Sequence, residues 1–198
     1  TETSSVSPSE LMTGSDWLNQ PNKSQKKYLD TEAVYRQFVY ENYQTVDQGL
    51  EKTIAHLFDQ DEFENTGIYS ISQHIRDTLT KYMKYDEKTN TQSENVLEDF
   101  LNQKISGNDV LFASAAVEAF RHYNIPARYV EGYLLKSDAI DEEGNATLTS
   151  KDGHAWVEVY FDGMGWLPID VTPGYYYDVY TLMNMVATPQ GDNSQVNI

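Results

Sequence analysis

Three residues in the second half of the chain could form a hydrolytic or acyl-transfer site: Asp109, His154 and Asp170. His154 begins one β-branched and aromatic run, Asp170 ends the next, and Asp162-Gly163 lies about midway between them. A hairpin turning at that dipeptide would place the two side chains opposite or nearly opposite each other, so that the carboxylate could orient the imidazole. The pattern therefore predicts the base and the orienting acid of a catalytic triad.

The third member of such a triad is expected at the start of the helix that follows Gly107, in "SGNDVLFASA". Free N–H groups and the helix dipole stabilise an anion there, and thiol enzymes use this field to lower the pKa of a cysteine. This chain has no cysteine, and Asp109 occupies the place, where we also expect it to cap the helix. An aspartate is a weak nucleophile toward an amide, and its charge would repel a developing oxyanion.

The spacing of apolar residues predicts the elements that position this trio. Three segments with apolar residues every three or four positions indicate amphipathic helices: Val34 and Phe38; Leu50, Ile54, Leu57 and Phe58; and Ile68, Ile71, Ile75, Leu79 and Tyr82. A shorter helix is predicted in "SENVLEDFLNQ" and a central, buried one over residues 109–123. The runs "ARYVEGYLL", "HAWVEVYF" and "GWLPID" predict strands of an antiparallel sheet. Helices followed by strands indicate an α+β fold.

Composition limits the classes of partner. The 198 residues include 14 Lys+Arg and 31 Asp+Glu, a formal net charge of −17, which argues against binding nucleic acid or an anionic membrane surface. No apolar run approaches the roughly 20 residues of a membrane span, so we expect part of a longer protein that itself makes no membrane contact. We expect a linker or arm over residues 1–27, one domain over 28–182 and a C-terminal tail over 183–198.

Several blocks of the sequence, taken in order, resemble the transglutaminase-like superfamily. They are Gly107-Asn108-Asp109-Val110-Leu111-Phe112-Ala113, "NIPARYVEGY", "HAWVEVY" and "GWLPIDVTPG". The family's nucleophile motif has the form G-x-C-x-x-F-A, so the resemblance puts Asp109 in the cysteine place. It covers roughly Ser93 to Gly174, and "VYRQFVYENYQTVD" before it is similar to the lead-in of membrane-anchored bacterial members.

The resemblance implies a papain-like fold with His154 as base and Asp170 as its orienter, in an extracellular or cell-surface domain of a membrane-anchored bacterial protein. Because Asp109 replaces the nucleophile, we interpret the chain as an inactive binding or scaffold module for a peptide or protein of the cell envelope, with no cofactor. Two alternatives stay open. One is an active peptidase or protein-glutamine acyltransferase of this family, and the other is a metal-dependent hydrolase using Asp109, His154 and Asp170.

The remaining candidates are aromatic or titratable. Two carboxylates beside one imidazole predict a raised pKa for His154. Four aromatic residues are candidates either for a peptide-binding lip or for packing: Trp156, Trp166, Tyr175 and Tyr176. Three other histidines have no partner spacing, and we expect structural roles for them: His56, His74 and His122. The acidic loop from Ser137 to Gly153 lacks EF-hand spacing, so we expect it to be solvated and assign no metal.

Overall fold

Helices precede strands in the computed structural model, which describes residues 20–58, 67–89, 93–102, 105–135 and 139–178. The helices in these ranges are α1 (Lys23–Asn42), α2 (Glu51–Leu57), α3 (Ile68–Tyr82), α4 (Val96–Leu101) and α5 (Asp109–His122). The strands are β1 (Ala127–Tyr133), β2 (Gly153–Phe161), β3 (Gly165–Asp170) and β4 (Tyr177–Asp178). The predicted α+β fold, with N-terminal helices and a central helix at Asp109, is confirmed.

The four strands form one antiparallel sheet in the order β1-β2-β3-β4. The predicted hairpin joins β2 to β3, with Val157 opposite Ile169. Its turn needs a backbone conformation that favours glycine, because Gly163 and Gly165 have φ angles of 77° and 104°. The turn brings the beginning of β2 close to the end of β3, where the candidate site lies.

Helix α5 is the centre of the core. It packs against α2, α3 and α4 on one side and against β1 and β2 on the other. The alternate residues Ala155, Val157 and Val159 of β2 are buried in this core, and Phe112 and Phe120 of α5 are fully buried. Burial of each large apolar side chain stabilises the fold by roughly 1.5–3 kcal/mol. This packing fixes the start of α5 beside the start of β2.

The expectation that Asp109 caps α5 is wrong. Asn108 is the N-cap, with an extended backbone, and its side chain accepts a hydrogen bond from the Leu111 N–H at 3.3 Å. Asp109 already has helical geometry and is the first residue of the helix. Because Asn108 satisfies the cap, the carboxylate of Asp109 is free to bond outside its own helix.

Helix α1 packs differently from the prediction. Val34 is 73% exposed and Phe38 is 49% exposed, so the predicted apolar positions do not face the core. The buried residues of the helix are Glu32 and Val39. Glu32 accepts hydrogen bonds from the Tyr160 hydroxyl and the Gly163 N–H, so a polar group joins this helix to the sheet. The helix begins at Lys23, so the predicted boundary at residue 27 falls within it. Residues 1–19 and 179–198, which contain most of the predicted arm and the whole predicted tail, lie outside the described residues.

Within the described ranges, no helix combines the length and the hydropathy that a membrane span requires.

Candidate active site

The structure brings the three predicted site residues together. His154 lies between two carboxylates: its Nε2 is 2.6 Å from Asp170 Oδ2, and its Nδ1 is 3.1 Å from Asp109 Oδ2. The side chains of His154 and Asp170 are buried, and that of Asp109 is mostly buried. Asp170 therefore contacts the imidazole that it is predicted to orient.

The start of α5 holds Asp109 in place through backbone contacts. Gly107 donates to the Lys84 carbonyl at 2.9 Å and accepts from the Asp86 N–H at 2.8 Å, which fixes the chain just before the helix. Asp109 Oδ2 also accepts from the Ala155 N–H at 2.9 Å, a bond that joins α5 directly to β2. The position at a helix N-terminus stabilises the carboxylate further.

Asp170 is fixed at the other side of the ring. Its second oxygen, Oδ1, accepts a hydrogen bond from the Thr172 N–H at 2.9 Å. Continuing the β2–β3 register places Asp170 opposite Trp156, so its contact with His154 is diagonal rather than direct. A diagonal neighbour is within reach of a long or aromatic side chain.

The two carboxylates hold the imidazole in its charged form. Burial alone would lower the pKa of His154, but the hydrogen bonds and charges of Asp109 and Asp170 outweigh it and raise the pKa to about 9, as predicted. Burial would raise the pKa of Asp109, but the hydrogen bonds from His154 and the Ala155 N–H lower it. At neutral pH the site is therefore an imidazolium between two carboxylates.

This protonation state determines what the site can do. An imidazolium donates from both nitrogens and has no lone pair, so in this protonation state His154 cannot accept a proton. Asp109 occupies the place of the nucleophile, and its Oδ2 already accepts hydrogen bonds from His154 and from the Ala155 N–H. Among the described residues, no group of three histidine, cysteine, aspartate or glutamate side chains could hold a metal ion. The metal-dependent alternative therefore finds no ligand set in this part of the chain.

An open cleft of about 500 Å³ lies against Asp109 and His154. Its lining residues are Asp109, Val110, Glu131, Gly132, Tyr133, Ser150, Gly153, His154 and Ala155. Glu131 is a site residue that sequence reasoning missed. Its carboxylate accepts a hydrogen bond from the Tyr129 hydroxyl at 2.5 Å. The period of two along "ARYVEGY" was the available signal, because it puts Tyr129 and Glu131 on the same face as buried Ala127.

The four aromatic candidates separate into two groups. Tyr175 stacks on the His154 ring at a centroid distance of 4.5 Å, and Trp156 lies on the same ring at 6.4 Å. Tyr176 instead lies against α3, where its hydroxyl contacts Thr80 Oγ1 at 2.8 Å.

Trp166 lies against α1. Its Nε1 donates to the Tyr35 hydroxyl at 2.9 Å, and Arg128 lies over its ring at 4.4 Å. Trp156 and Tyr175 therefore adjoin the site, whereas Tyr176 and Trp166 pack elsewhere.

The other histidines are not brought to this site. His122 Nε2 lies 2.9 Å from the Phe58 carbonyl, and His74 has ring contacts with Phe58 and Tyr123 at 6.2 Å each. His56 lines a separate cavity of about 390 Å³.

The acidic loop is organised by its own backbone. Asp141 Oδ1 accepts from the N–H groups of Glu143 and Asn145, as in a local turn. Residues 136–138 lie outside the described ranges.

Comparison with known proteins gives a consistent family match. The sequence model of the Transglutaminase-like superfamily matches residues 59–171, which is more than half of the chain. The chain is 37% identical over 87 residues to the uncharacterized protein YebA of Bacillus subtilis (strain 168), a match of 41% of this chain and 12% of YebA. It is 38% identical over 77 residues to a protein-glutamine gamma-glutamyltransferase of Pseudomonas aeruginosa, a match of 38% of this chain and 11% of that protein. The chain thus matches only about one-eighth of the length of these curated relatives.

Among solved structures, the chain is similar to the periplasmic domain of TgpA from Pseudomonas aeruginosa bound to ethylmercury. That similarity has a TM-score of 0.47 and 24% sequence identity, and it covers 65% of this chain and 46% of the other.

Proposed function

This chain belongs to the transglutaminase-like superfamily, and from that premise we propose that it is a catalytically inactive member, a binding or scaffold module of a cell-envelope protein. The observation that carries the proposal is the occupancy of the nucleophile place by Asp109, in contact with His154. The frame of the triad is retained, but its reactive atom is replaced by a carboxylate.

Two physical effects act together against acyl transfer. Loss of a triad nucleophile lowers the rate by on the order of 10⁴–10⁶, leaving only the contribution of positioning and oxyanion donors. The hydrogen bonds and charges of Asp109 and Asp170 together also favour the protonated form of His154, which has no lone pair with which to act as a base. Ser150 also lines the cleft, but it begins a three-residue 3₁₀ helix before β2 and does not occupy the start of α5, where Asp109 lies.

The retained cleft supports a binding role. It is about 500 Å³ in volume, within the range of ligand pockets, and exposed Val110 and Tyr133 give it apolar surface. We infer that a peptide or protein segment of the cell envelope occupies it. We also propose that the parent protein is membrane-anchored with this domain outside the cytoplasm, on its resemblance to membrane-anchored bacterial members. Cleavage of the full-length protein by protease added to intact cells, inside this domain, would support that location; complete protection would contradict it.

One observation favours a second candidate, an active acyltransferase: the similarity to a protein-glutamine gamma-glutamyltransferase. An assay separates the two. The chain is incubated with dimethylcasein as glutamine donor and a dansylated primary amine as acceptor, and incorporation of the amine is followed by fluorescence. We expect the wild-type rate to equal that of the His154→Ala variant.

The matched control is His56→Ala, which removes a histidine outside the site. Wild-type incorporation that is lost in His154→Ala but kept in His56→Ala would contradict the proposal and establish the active enzyme.

A further inference from the structure

Among the strands of the described ranges, β1 is an edge of the sheet, and it borders the cleft. The sheet order places β1 outermost, and three consecutive residues near its end, Glu131, Gly132 and Tyr133, line the cleft. An edge strand presents unpaired backbone N–H and C=O groups to whatever lies beside it. The cleft therefore has one wall that can form backbone hydrogen bonds.

The residues whose backbone groups point outward can be identified from the pairing. The Tyr160 N–H donates to the Pro126 carbonyl and the Leu134 N–H to the Asp152 carbonyl, so even-numbered positions of this strand bond toward β2. Odd-numbered positions bond away from β2, and the outward N–H of Ala127 is used by the Tyr43 carbonyl.

The next odd-numbered residues are Tyr129, Glu131 and Tyr133. No hydrogen bond among the described residues uses their outward backbone groups. Tyr133 is also 60% exposed. At about 3.3 Å per residue, this free edge could pair with roughly five residues of an extended chain.

The charge beside this edge is negative. Glu131 and Asp109 are the carboxylates that line the cleft, and no lysine or arginine is among its described lining residues. The one cation among the described lining residues is His154, which lies between the carboxylates of Asp109 and Asp170 and is already compensated by them. The formal net charge of −17 means that the chain as a whole also attracts cationic ligands.

Glu131 is positioned to contact a side chain of a ligand strand that pairs with β1. It faces the same side of the sheet as Asp109, and a residue directly opposite it on a paired strand would have its Cβ about 5 Å away. A cationic side chain there would contact the Glu131 carboxylate, while the apolar side chains of Tyr133 and Val110 would cover its stem.

We propose that the occupant of the cleft is an extended segment of a partner protein that adds a strand to β1 at Tyr129–Tyr133 and places a lysine or arginine against Glu131. The inference rests on the proposed binding role of the cleft, to which it adds the backbone conformation and the charge of the ligand. Backbone pairing with β1 requires the ligand to be extended, and Glu131 selects a ligand with a positive side chain.

Two labelled peptides test the proposal. One is a fluorescein-tagged Thr-Val-Thr-Lys-Thr-Val-Thr with a blocked C-terminus, and the other has glutamate in place of lysine. Fluorescence anisotropy should show the lysine peptide binding at least about tenfold tighter, because its charge is paired rather than repelled. Equal affinity of the two peptides, or no binding of either, would overturn the proposal.

Variants then separate the two elements of the proposal. Glu131→Gln should weaken the lysine peptide about fivefold, while Glu94→Gln, which removes the same charge from an exposed position outside the cleft lining, should leave binding unchanged. Tyr133→Pro removes an outward N–H that β1–β2 pairing does not use, so it should weaken binding more than Tyr133→Ala. Circular dichroism confirms that each variant is folded. Equal effects within either pair would overturn the corresponding element.

Two further measurements distinguish failure of this inference from failure of the proposed function. Peptide-induced shifts of the Asp109 and Ala155 amide resonances by both peptides alike would leave the binding role intact and overturn only the strand-and-cation assignment. Turnover in the dimethylcasein assay would instead overturn the inactivity on which the proposed function rests.

Discussion

Two buried carboxylate clusters in this molecule use the same physical principle with different consequences. The site cluster consists of Asp109, His154 and Asp170. The α1 cluster is built on Glu32, which is 7% exposed and accepts from the Tyr160 hydroxyl at 2.9 Å and the Gly163 N–H at 3.0 Å. In both clusters several donors compensate a carboxylate that has lost water, as burial of charge requires.

The difference lies in what surrounds the clusters. The α1 cluster lies between a helix and the sheet, where it fastens α1 to the turn after β2. The site cluster lies at a helix N-terminus and borders an open cleft. Hydrogen bonding of a buried carboxylate therefore does not distinguish a candidate site from a structural contact. The position of the site cluster beside an open cleft does distinguish it. The arrangement also supports the proposed inactivity, because a protonated His154 that donates to two carboxylates has no proton-accepting atom left.

The largest expected effect converts the site cluster into a catalytic one. In Asp109→Cys the carboxylate that holds His154 charged is replaced by the family's nucleophile, at a helix end that lowers a thiol pKa. We expect iodoacetamide labelling to show a thiol pKa well below the usual value of about 8.5. The rate of amine incorporation into dimethylcasein should rise by on the order of 10³ or more over the parent.

Because the chain has no other cysteine, the labelling signal comes from position 109 alone. The control is the double variant Asp109→Cys with His154→Ala, in which the low thiol pKa should be lost. A thiol that titrates like a free cysteine in the single variant would show that the frame of the triad is not assembled.

The next effect concerns stability at the site cluster. Asp170→Ala removes a buried partner of His154 and the acceptor of the Thr172 N–H, so it should lower the free energy of unfolding by about 3 kcal/mol. The control is Asp162→Ala, which breaks the exposed pair with Arg36 and should cost about 1 kcal/mol or less. Urea unfolding measures both, and similar losses would mean that the Asp170 contact contributes little.

The α1 cluster gives a smaller effect that sharpens the comparison. Glu32→Ala leaves the Tyr160 hydroxyl and the Gly163 N–H without their acceptor, which should lower the free energy of unfolding by about 2 kcal/mol. The pKa of His154 should not change, because Glu32 is not among the groups that shift it. Two-dimensional NMR of the imidazole checks this, and a changed His154 pKa would contradict the independence of the two clusters.

The last prediction is a pH dependence of stability. The pKa of His154 is raised from 6.5 to about 9, so its stabilising contribution is complete below pH 6.5 and is lost as pH rises through 9. The pKa of Asp109 is lowered from 3.8, so its contribution is complete above that pH and is lost in more acidic solution. The free energy of unfolding should therefore decline between pH 6.5 and 9, and His154→Gln should not show this decline.

The fold followed from local patterns that the structure reproduces. Alternation in "HAWVEVYF" and the Asp162-Gly163 turn predicted the hairpin, and the hairpin placed His154 near Asp170. The two strands and their turn are close together in the sequence, so the pattern of residue types along this segment is sufficient to predict the hairpin.

The features missed by sequence reasoning depend on contacts between distant segments. Val34 and Phe38 have helical spacing, yet they are exposed because polar Glu32 faces the sheet. Tyr175 and Tyr176 are neighbours in sequence, and only the fold determines that one stacks on His154 while the other lies on α3.

The most direct test of the account is an NMR titration of the His154 imidazole nitrogens in the wild-type chain and in Asp109→Asn. At pH 7.5 both nitrogens should carry protons in the wild type, with a pKa of about 9. In Asp109→Asn the pKa should fall toward 6.5 or below, since one of the two compensating charges is lost. A wild-type His154 that is neutral at pH 7.5 would contradict this prediction, because a base would then be available and the charged state on which the proposed inactivity rests would be absent.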